Sequence, residues 1–372
     1  MDEIKNYLSE RIAANDFPSA VFLVAEKGEI VLLDAAGFAV VEPERIEANV
    51  NTIYDVASLT KPLVTGLLMA KLIEEEKLPL NGRVGVFLKE FDTEGKRAIT
   101  ILDLLTHRSH LPAWKPFYLC VADAADVIGE IGRTPLDFEA EAVTYSDLNF
   151  IALGTLIERL GQASLAGLTA DILITELNLQ RTFFNPPESF RGEIAASEKG
   201  NEFERQMCIE KGYRDIKNPV ATAPGSDPVI WGRVHDGNAA FMGGASGHAG
   251  LFSTARDVFE IAQQFLPSRT SLLKPETCKF FRTNFTEGIN EDRSFAFQLA
   301  STKDSSAGTR MSPQSFGHNG FTGTSLWIDP VKERVFILLT NRTHNHDLPF
   351  VNINAVRRRF HDLAIDFLDK YL

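Results

Sequence analysis

The sequence predicts an α+β fold: an antiparallel β-sheet flanked by amino- and carboxy-terminal helices, with a mostly helical domain inserted between its halves. Three observations carry this. Short apolar, strand-like runs cluster towards both ends of the 372-residue chain. Helical periodicity fills the middle. The first and last segments both read as amphipathic helices, which need an apolar surface to cover. Residues 1–64 and 240–372 are therefore assigned to the sheet domain, and residues 65–239 to the inserted helical one.

The elements follow in order. Ile4, Leu8, Ile12 and Ala13 share one face of a helix over residues 4–14. Ser19–Ala25 and Glu29–Ala36 are apolar strands, and Glu26-Lys27-Gly28 between them is a hairpin signal. Thr52–Val56 is another short strand. Leu59–Glu75 is apolar on most sides and reads as one buried helix, with Ser58 at its amino-terminal edge. Ile99–Thr106, Val121–Ile131, Ser146–Leu160 and Ser164–Leu177 are helical patterns. Residues 185–240 are rich in Gly, Pro, Asn and charge, with little periodicity, as functional or mobile loops are. Phe295–Ala300, Gln314–His318, Thr324–Asp329 and Val335–Thr340 return to strands, with 329–333 as a hairpin connection. Val351–Tyr371 is the final amphipathic helix.

Composition bounds the partners. Hydrophobic residues make up 44% and charged residues 24%, an ordinary soluble balance. A net charge of −12 argues against nucleic acids and anionic membranes as partners. No apolar stretch reaches the roughly 18 residues of a membrane helix. The first residues lack the basic-then-apolar pattern of a signal peptide. The expected location is the cytoplasm, or the periplasm if a signal has been removed. Cys120, Cys208 and Cys278 lie far apart without a C-x-x-C pair. That excludes a zinc-ribbon or thioredoxin motif and leaves them as buried small hydrophobes.

Three motifs carry chemistry. Ser58-Leu59-Thr60-Lys61 is S-x-x-K at a helix start, and residues three apart share a helix face. A serine hydroxyl needs a base beside it. Lys61 serves if burial lowers its pKa towards the neutral amine. A second S-x-x-K, Ser271-Leu272-Leu273-Lys274, runs into Pro275 in a polar linker. Tyr145-Ser146-Asp147 precedes a helix, and a tyrosine near a lysine can shuttle the serine proton. Tyr213-Arg214-Asp215 repeats the pattern without a helix after it. His318-Asn319-Gly320 ends a strand, where glycine lets a ligand approach the backbone. The H-x-G pattern also occurs at His235 and His248, but only His318 lies between strand patterns. Gly244-Ala245-Ser246-Gly247 narrowly misses the G-x-S-x-G elbow. His344 and His346 are too isolated for a metal set and read as surface residues.

In this order, the three motifs resemble those of the serine β-lactamase and penicillin-binding-protein superfamily. The long gap from Ser58 to Tyr145 resembles its class C branch, with the D-aminopeptidases and family VIII esterases. Residues 99–107 and 316–325 match a helix and a strand-turn of that family, so the likeness spans nearly the whole chain. Residues 234–239, 247–254 and 340–344 resemble the penicillin-binding-protein-4B-like branch and domains associated with peptidoglycan-recycling glucosaminidases. The resemblance implies a β-lactamase/transpeptidase-like fold and an acyl-enzyme serine hydrolase, with Ser58 as nucleophile, Lys61 as base and Tyr145 as proton shuttle. It places Asp147, His318, Gly320 and Phe321 around the substrate, with the N–H groups of Ser58 and Phe321 as the oxyanion hole. It implies no metal or cofactor. The substrate it implies is a small ester or a peptidoglycan-derived, D-amino-acid amide. A β-lactamase and a non-catalytic penicillin-recognising protein are the alternatives.

The chain departs from the family pattern in three places. Asp147 stands where Asn is usual, and an ionised carboxylate accepts but cannot donate. This biases the site away from β-lactams and towards esters or amine-bearing substrates. His318 stands where Lys is usual, and a rim histidine partly charged near neutral pH holds a carboxylate less firmly. His110 stands where Gly is usual, narrowing a turn or the cleft mouth.

Overall fold

The computed structural model describes residues 2–213 and 228–371. Of the second tyrosine motif, Arg214 and Asp215 lie outside the described residues. Seven antiparallel strands form the main sheet: β1 (Ser19–Glu26), β2 (Glu29–Val40), β3 (Ile46–Glu47), β7 (Gln298–Leu299), β8 (Phe316–Asn319), β9 (Ser325–Asp329) and β10 (Arg334–Thr340), in the order β3-β2-β1-β10-β9-β8-β7. A second sheet of three short strands pairs β6 (Leu251–Ser253) with β4 (Tyr54–Asp55) on one side and β5 (Phe183–Phe184) on the other. The fold is the predicted mixture of a large antiparallel sheet and many helices.

Period-two alternation explains the layering. In β1, Val21, Leu23 and Ala25 face one core, while Ala20, Phe22 and Val24 face another. The second core is closed by the amino-terminal helix (Asp2–Ala13), through Ile4 and Leu8, and the carboxy-terminal helix (Asn354–Tyr371), through Phe360, Leu363, Ala364 and Leu368. The first core holds the Ser58 segment and the helix Asp147–Gly161. Because β1 is buried on both faces, its sequence is a continuous apolar run rather than an alternating one. Fully burying a side chain such as Phe22 contributes about 2–3 kcal/mol. The β1–β2 turn takes positive φ at Lys27 (51°) and Gly28 (82°), as a two-residue hairpin loop requires.

Several expected elements differ in form. The 59–75 segment is not one helix. It is a 3₁₀ turn at Ala57–Leu59, a π-helix at Lys61–Gly66 and an α-helix at Leu67–Glu74. The 121–131 pattern resolves into helices Phe117–Cys120 and Val127–Arg133, joined through a 3₁₀ turn at Ala124–Asp126. The aperiodic 185–240 stretch contains a helix, Glu202–Glu210, and a short one, Gly237–Phe241. His344 is not a surface residue. It is buried, its Nε2 accepts from the Val41 N–H (2.9 Å), and its Nδ1 bonds the Ser197 carbonyl (2.8 Å).

Candidate active site

Ser58 sits directly after Ala57, a non-glycine residue held at φ 50°. The Ala57 N–H donates to Asp55 Oδ1 (2.8 Å), and Thr60 Oγ1 donates to the Ala57 carbonyl (2.7 Å). Such left-handed backbone is costly and persists only where its surroundings fix it. One turn on, Lys61 is fully buried. Its ammonium donates to Ser58 Oγ (2.9 Å) and to the His248 carbonyl (3.2 Å), and lies 2.7 Å from Asp147 Oδ1. Asp147 Oδ1 makes no hydrogen bond of good geometry, so this contact is an ion pair.

Burial alone would push the Lys61 pKa down, but Asp147 and Tyr145 outweigh it and hold the pKa above its ordinary value. This corrects the expectation of a lysine neutralised by desolvation: the resting side chain is an ammonium. Tyr145 lines the same cavity as Ser58, and burial, more than the opposing Lys61, raises its pKa. Its ring lies beneath Lys61 Nζ at 4.8 Å.

The tyrosine loop is clamped from behind. The Ser146 N–H donates to His107 Nδ1 (3.0 Å), Ser146 Oγ donates to the Pro112 carbonyl (2.7 Å), and the His107 ring packs 4.6 Å from the Tyr145 ring. Burial, with Arg293 and Lys61 nearby, pulls the His107 pKa well down, so it serves as a neutral acceptor. His110 adopts φ 59°, which explains why glycine suits that position, and its ring packs 5.0 Å from Phe138.

His318 is buried, not on the rim. Desolvation, then Lys61 and Arg293, pull its pKa well below the usual value, so it is neutral rather than partly charged. Its Nδ1 donates to the Asn319 carbonyl (2.9 Å), and its Nε2 has no partner among the described residues. Gly320 is needed for a reason internal to the fold. A Cβ there would meet Thr324 Oγ1 at 2.0 Å and the Val56 carbonyl at 2.6 Å. The close approach is made by the protein's own backbone.

Two cavities flank Ser58. The first, about 460 Å³, is lined by Ser58, Tyr145, His318 and Phe321 together with Arg293, Arg342 and Arg357. Arg293 pairs with Glu291 (2.8 Å). Arg357 donates to Asn354 Oδ1 (2.8 Å) and to the Gly320 (2.9 Å) and Thr324 (3.0 Å) carbonyls, all neutral, and its Nε has no partner among the described residues. Burial and the neighbouring Arg342 work against its charge. The second cavity, about 280 Å³, has apolar walls from Trp114, Phe203, Met207 and Phe321, and acidic groups from Asp147, Glu204 and Asp236. Phe321, packed on Phe203 (4.7 Å) and His235 (5.4 Å), lines both.

The structure thus brings Ser58, Lys61, Tyr145 and Asp147 into contact and sets His318 and Phe321 around the first cavity. The second S-x-x-K does not form a comparable pair: Ser271 bonds Gln264, and Lys274 is exposed. The sequence reading missed His107, Arg293, Arg342, Arg357, Asp236 and His248 as residues of the site. Asp147, Asp236 and His248 bring three metal-ligand atoms within 4.8 Å of one another. Lys61 already supplies a positive charge at that point, and His248 Nε2 is engaged by Asp236 (2.9 Å).

The family model for Beta-lactamase matches residues 4–358. The chain belongs to the β-lactamase family. A protein of Escherichia coli (strain K12) named "Putative D-alanyl-D-alanine carboxypeptidase" is 30% identical, over 93% of this chain and 83% of that one. Among solved structures, the β-lactamase-family fold recurs in EstCE1, a hydrolase with promiscuous acyltransferase activity (TM-score 0.72, 20% identity, covering 97% of each chain). It recurs in a class C β-lactamase from Rhodobacter sphaeroides (TM-score 0.72, 17% identity, covering 99% of this chain and 100% of that one). Membership of the β-lactamase family makes the chain a hydrolase in its broad class. Among the described residues, no helix is long and apolar enough to cross a membrane.

Proposed function

We propose that the chain is a serine hydrolase that forms an acyl-enzyme on Ser58 from esters or D-amino-acid, muropeptide-type amides bearing a free carboxylate. The observation that carries the carboxylate is Arg357, a buried guanidinium with only neutral hydrogen-bond partners among the described residues, which lines the same cavity as Ser58. A buried charge without a counter-ion is expensive, and a carboxylate ligand supplies one. Arg342, whose guanidinium among the described residues donates to the Phe321 (2.7 Å) and Val351 (2.8 Å) carbonyls alone, adds to the same field.

In this reading Ser58 Oγ attacks the carbonyl carbon as its proton passes to Lys61 and Tyr145 acting together. Lys61 rests as an ammonium, so it first loses that proton to solvent and acts as the free amine. The N–H groups of Ser58 and Phe321, which donate to no turn or loop carbonyl among the described residues, would meet the developing oxyanion. The leaving oxygen or nitrogen takes the proton back, and water then repeats the sequence on the ester carbonyl of the acyl-enzyme. Neutral His318 offers Nε2 to a substrate donor. Asp147 orients Lys61 and repels an anion from the second cavity, so the carboxylate end of the substrate takes the arginine side.

The test compares N-acyl-D-alanyl-D-alanine with its carboxy-terminal amide. The free acid should be the better substrate by about tenfold or more in kcat/KM, the scale of a hydrogen bond to a charged group. Arg357→Gln should erase the preference. Equal turnover of acid and amide by the unmodified protein would refute the reading.

A further inference from the structure

Two sequence motifs that the hydrolase reading leaves unused meet beside Lys61. Asp236, from the His235-Asp236-Gly237 motif, has Oδ1 2.9 Å from His248 Nε2, and His248 belongs to the Gly247-His248-Ala249-Gly250 motif. His248 Nδ1 lies 2.9 Å from Ser246 Oγ. The result is an unbroken chain, Ser246–His248–Asp236, anchored at its far end where the Ala239 N–H donates to Asp236 Oδ1 (2.8 Å) and caps a helix. Ser246 and His248 are buried, so this is no second nucleophile.

What the chain holds is a turn wedged along the Ser58 segment. The Val56 N–H donates to the Leu251 carbonyl (3.0 Å), and the Leu251 N–H donates to Thr60 Oγ1 (3.2 Å). Lys61 donates to the His248 carbonyl and Thr65 Oγ1 to the Gly247 carbonyl (2.7 Å). On its other side Gly247 abuts the helix that begins at Asp147: a Cβ there would lie 2.1 Å from the Phe150 carbonyl. The polar atoms of Asp236, Asp147 and His248 all lie within 4.8 Å of one another.

We propose that Ser246, His248 and Asp236 form a positioning chain for Lys61: it fixes the carbonyl that accepts from the ammonium, and the Asp236 carboxylate is a second anion that keeps the proton there. Asp236 and His248 are positioning residues, since they act through Lys61. Other groups face Lys61 as well. Asp147 and Tyr145 come from the segment that opens one helix, and His107, His318 and Arg293 pack around the Tyr145 ring (4.6, 5.8 and 5.5 Å). Asp147 and Asp236 are the anions in this set, and Asp236 is held ionised by His248 against burial.

The inference rests on the reading of Lys61 as the base for Ser58. The experiment measures the rate of fluorophosphonate labelling against pH, with the adduct mapped by mass spectrometry, in the full chain and in Asp236→Asn. Asparagine keeps the shape and an oxygen for the helix cap but removes the charge. The acid limb of the labelling rate should move to lower pH by about one unit, the scale of one nearby charge. Asp236→Ser, which also caps a helix, should shift the limb the same way if the asparagine variant does not fold. A limb that stays in place with Ser58 still labelled overturns the positioning chain and leaves the acyl-enzyme reading standing. A label on another residue overturns both.

Discussion

Lys61 keeps its proton because Asp147 and Tyr145 outweigh a burial that opposes its charge. The sign for catalysis follows: the free amine becomes available as pH rises, so kcat/KM should climb into the alkaline range. Asp147→Asn removes the paired anion, lowers the Lys61 pKa and should carry the acid limb to lower pH. An asparagine can also donate to the amide carbonyl of a penicillin, which Asp147 cannot. Nitrocefin acylation should therefore rise about tenfold in this variant, with smaller change for a p-nitrophenyl ester. Efficient nitrocefin turnover by the unmodified protein, slowed by Asp147→Asn, would contradict the argument. At this scale sequence and structure differ instructively. Ser58, Lys61 and Tyr145 were legible because each lies in a short local motif at a helix start. Arg357 was not, because it stands in the run Arg357-Arg358-Arg359, and only packing turns the first inward. The charge of His318 was misread because its burial comes from segments distant in the chain.

The Ser58 segment is held to the 247–251 turn by hydrogen bonds at Val56, Thr60, Lys61 and Thr65, which a side-chain pattern does not reveal. Its apolar residues face all round, so periodicity gives no way to tell one α-helix from a 3₁₀ turn, a π-helix and an α-helix in series. π-Turns of this kind concentrate at functional sites. The strands β5 and β6 are only two and three residues long, too short for a period to show. The helix Glu202–Glu210 was hidden by its charge, with only Glu204 and Cys208 buried. Where Gly247 meets the helix Asp147–Gly161, a Cβ on Gly154 would lie 2.9 Å from the Gly247 backbone. Gly154→Ala should therefore lower stability by about 1–3 kcal/mol, the usual cost of overpacking. It should also depress acylation of Ser58, since the same contact carries Asp147. A urea midpoint unchanged by this substitution would show that the two elements are not in register as described.

Across the molecule, the net charge of −12 surrounds a cavity lined by three arginines. Arg357 ties the carboxy-terminal helix to the Gly320 and Thr324 carbonyls at the end of β8 and the start of β9, so ligand charge and fold stability are coupled through it. N-acetyl-D-alanine should raise the unfolding temperature, by about 2.7 kcal/mol of stabilisation at 100 times its Kd, and its methyl ester should do so much less. Equal shifts from acid and ester would place the anion elsewhere. The sheet and its two helical covers were legible at this scale because both termini carry matching amphipathic and strand patterns.

The order of strands has a consequence for how the protein is made. β1 pairs with β2 through a tight turn, but its other neighbour is β10, and Ser19 is hydrogen-bonded to Asn341 across 322 residues of chain. During synthesis the first hairpin leaves the ribosome with an apolar strand whose second edge stays bare until nearly all the chain has followed. Ser58 and Lys61 also emerge early, but the carbonyl and arginine that complete their surroundings come from residues 248 and 357. Contacts of such long range form slowly and leave open strand edges prone to association. The first hairpin therefore keeps an open apolar edge until β10 pairs with β1, and the surroundings of Ser58 are complete only after residue 357 has followed.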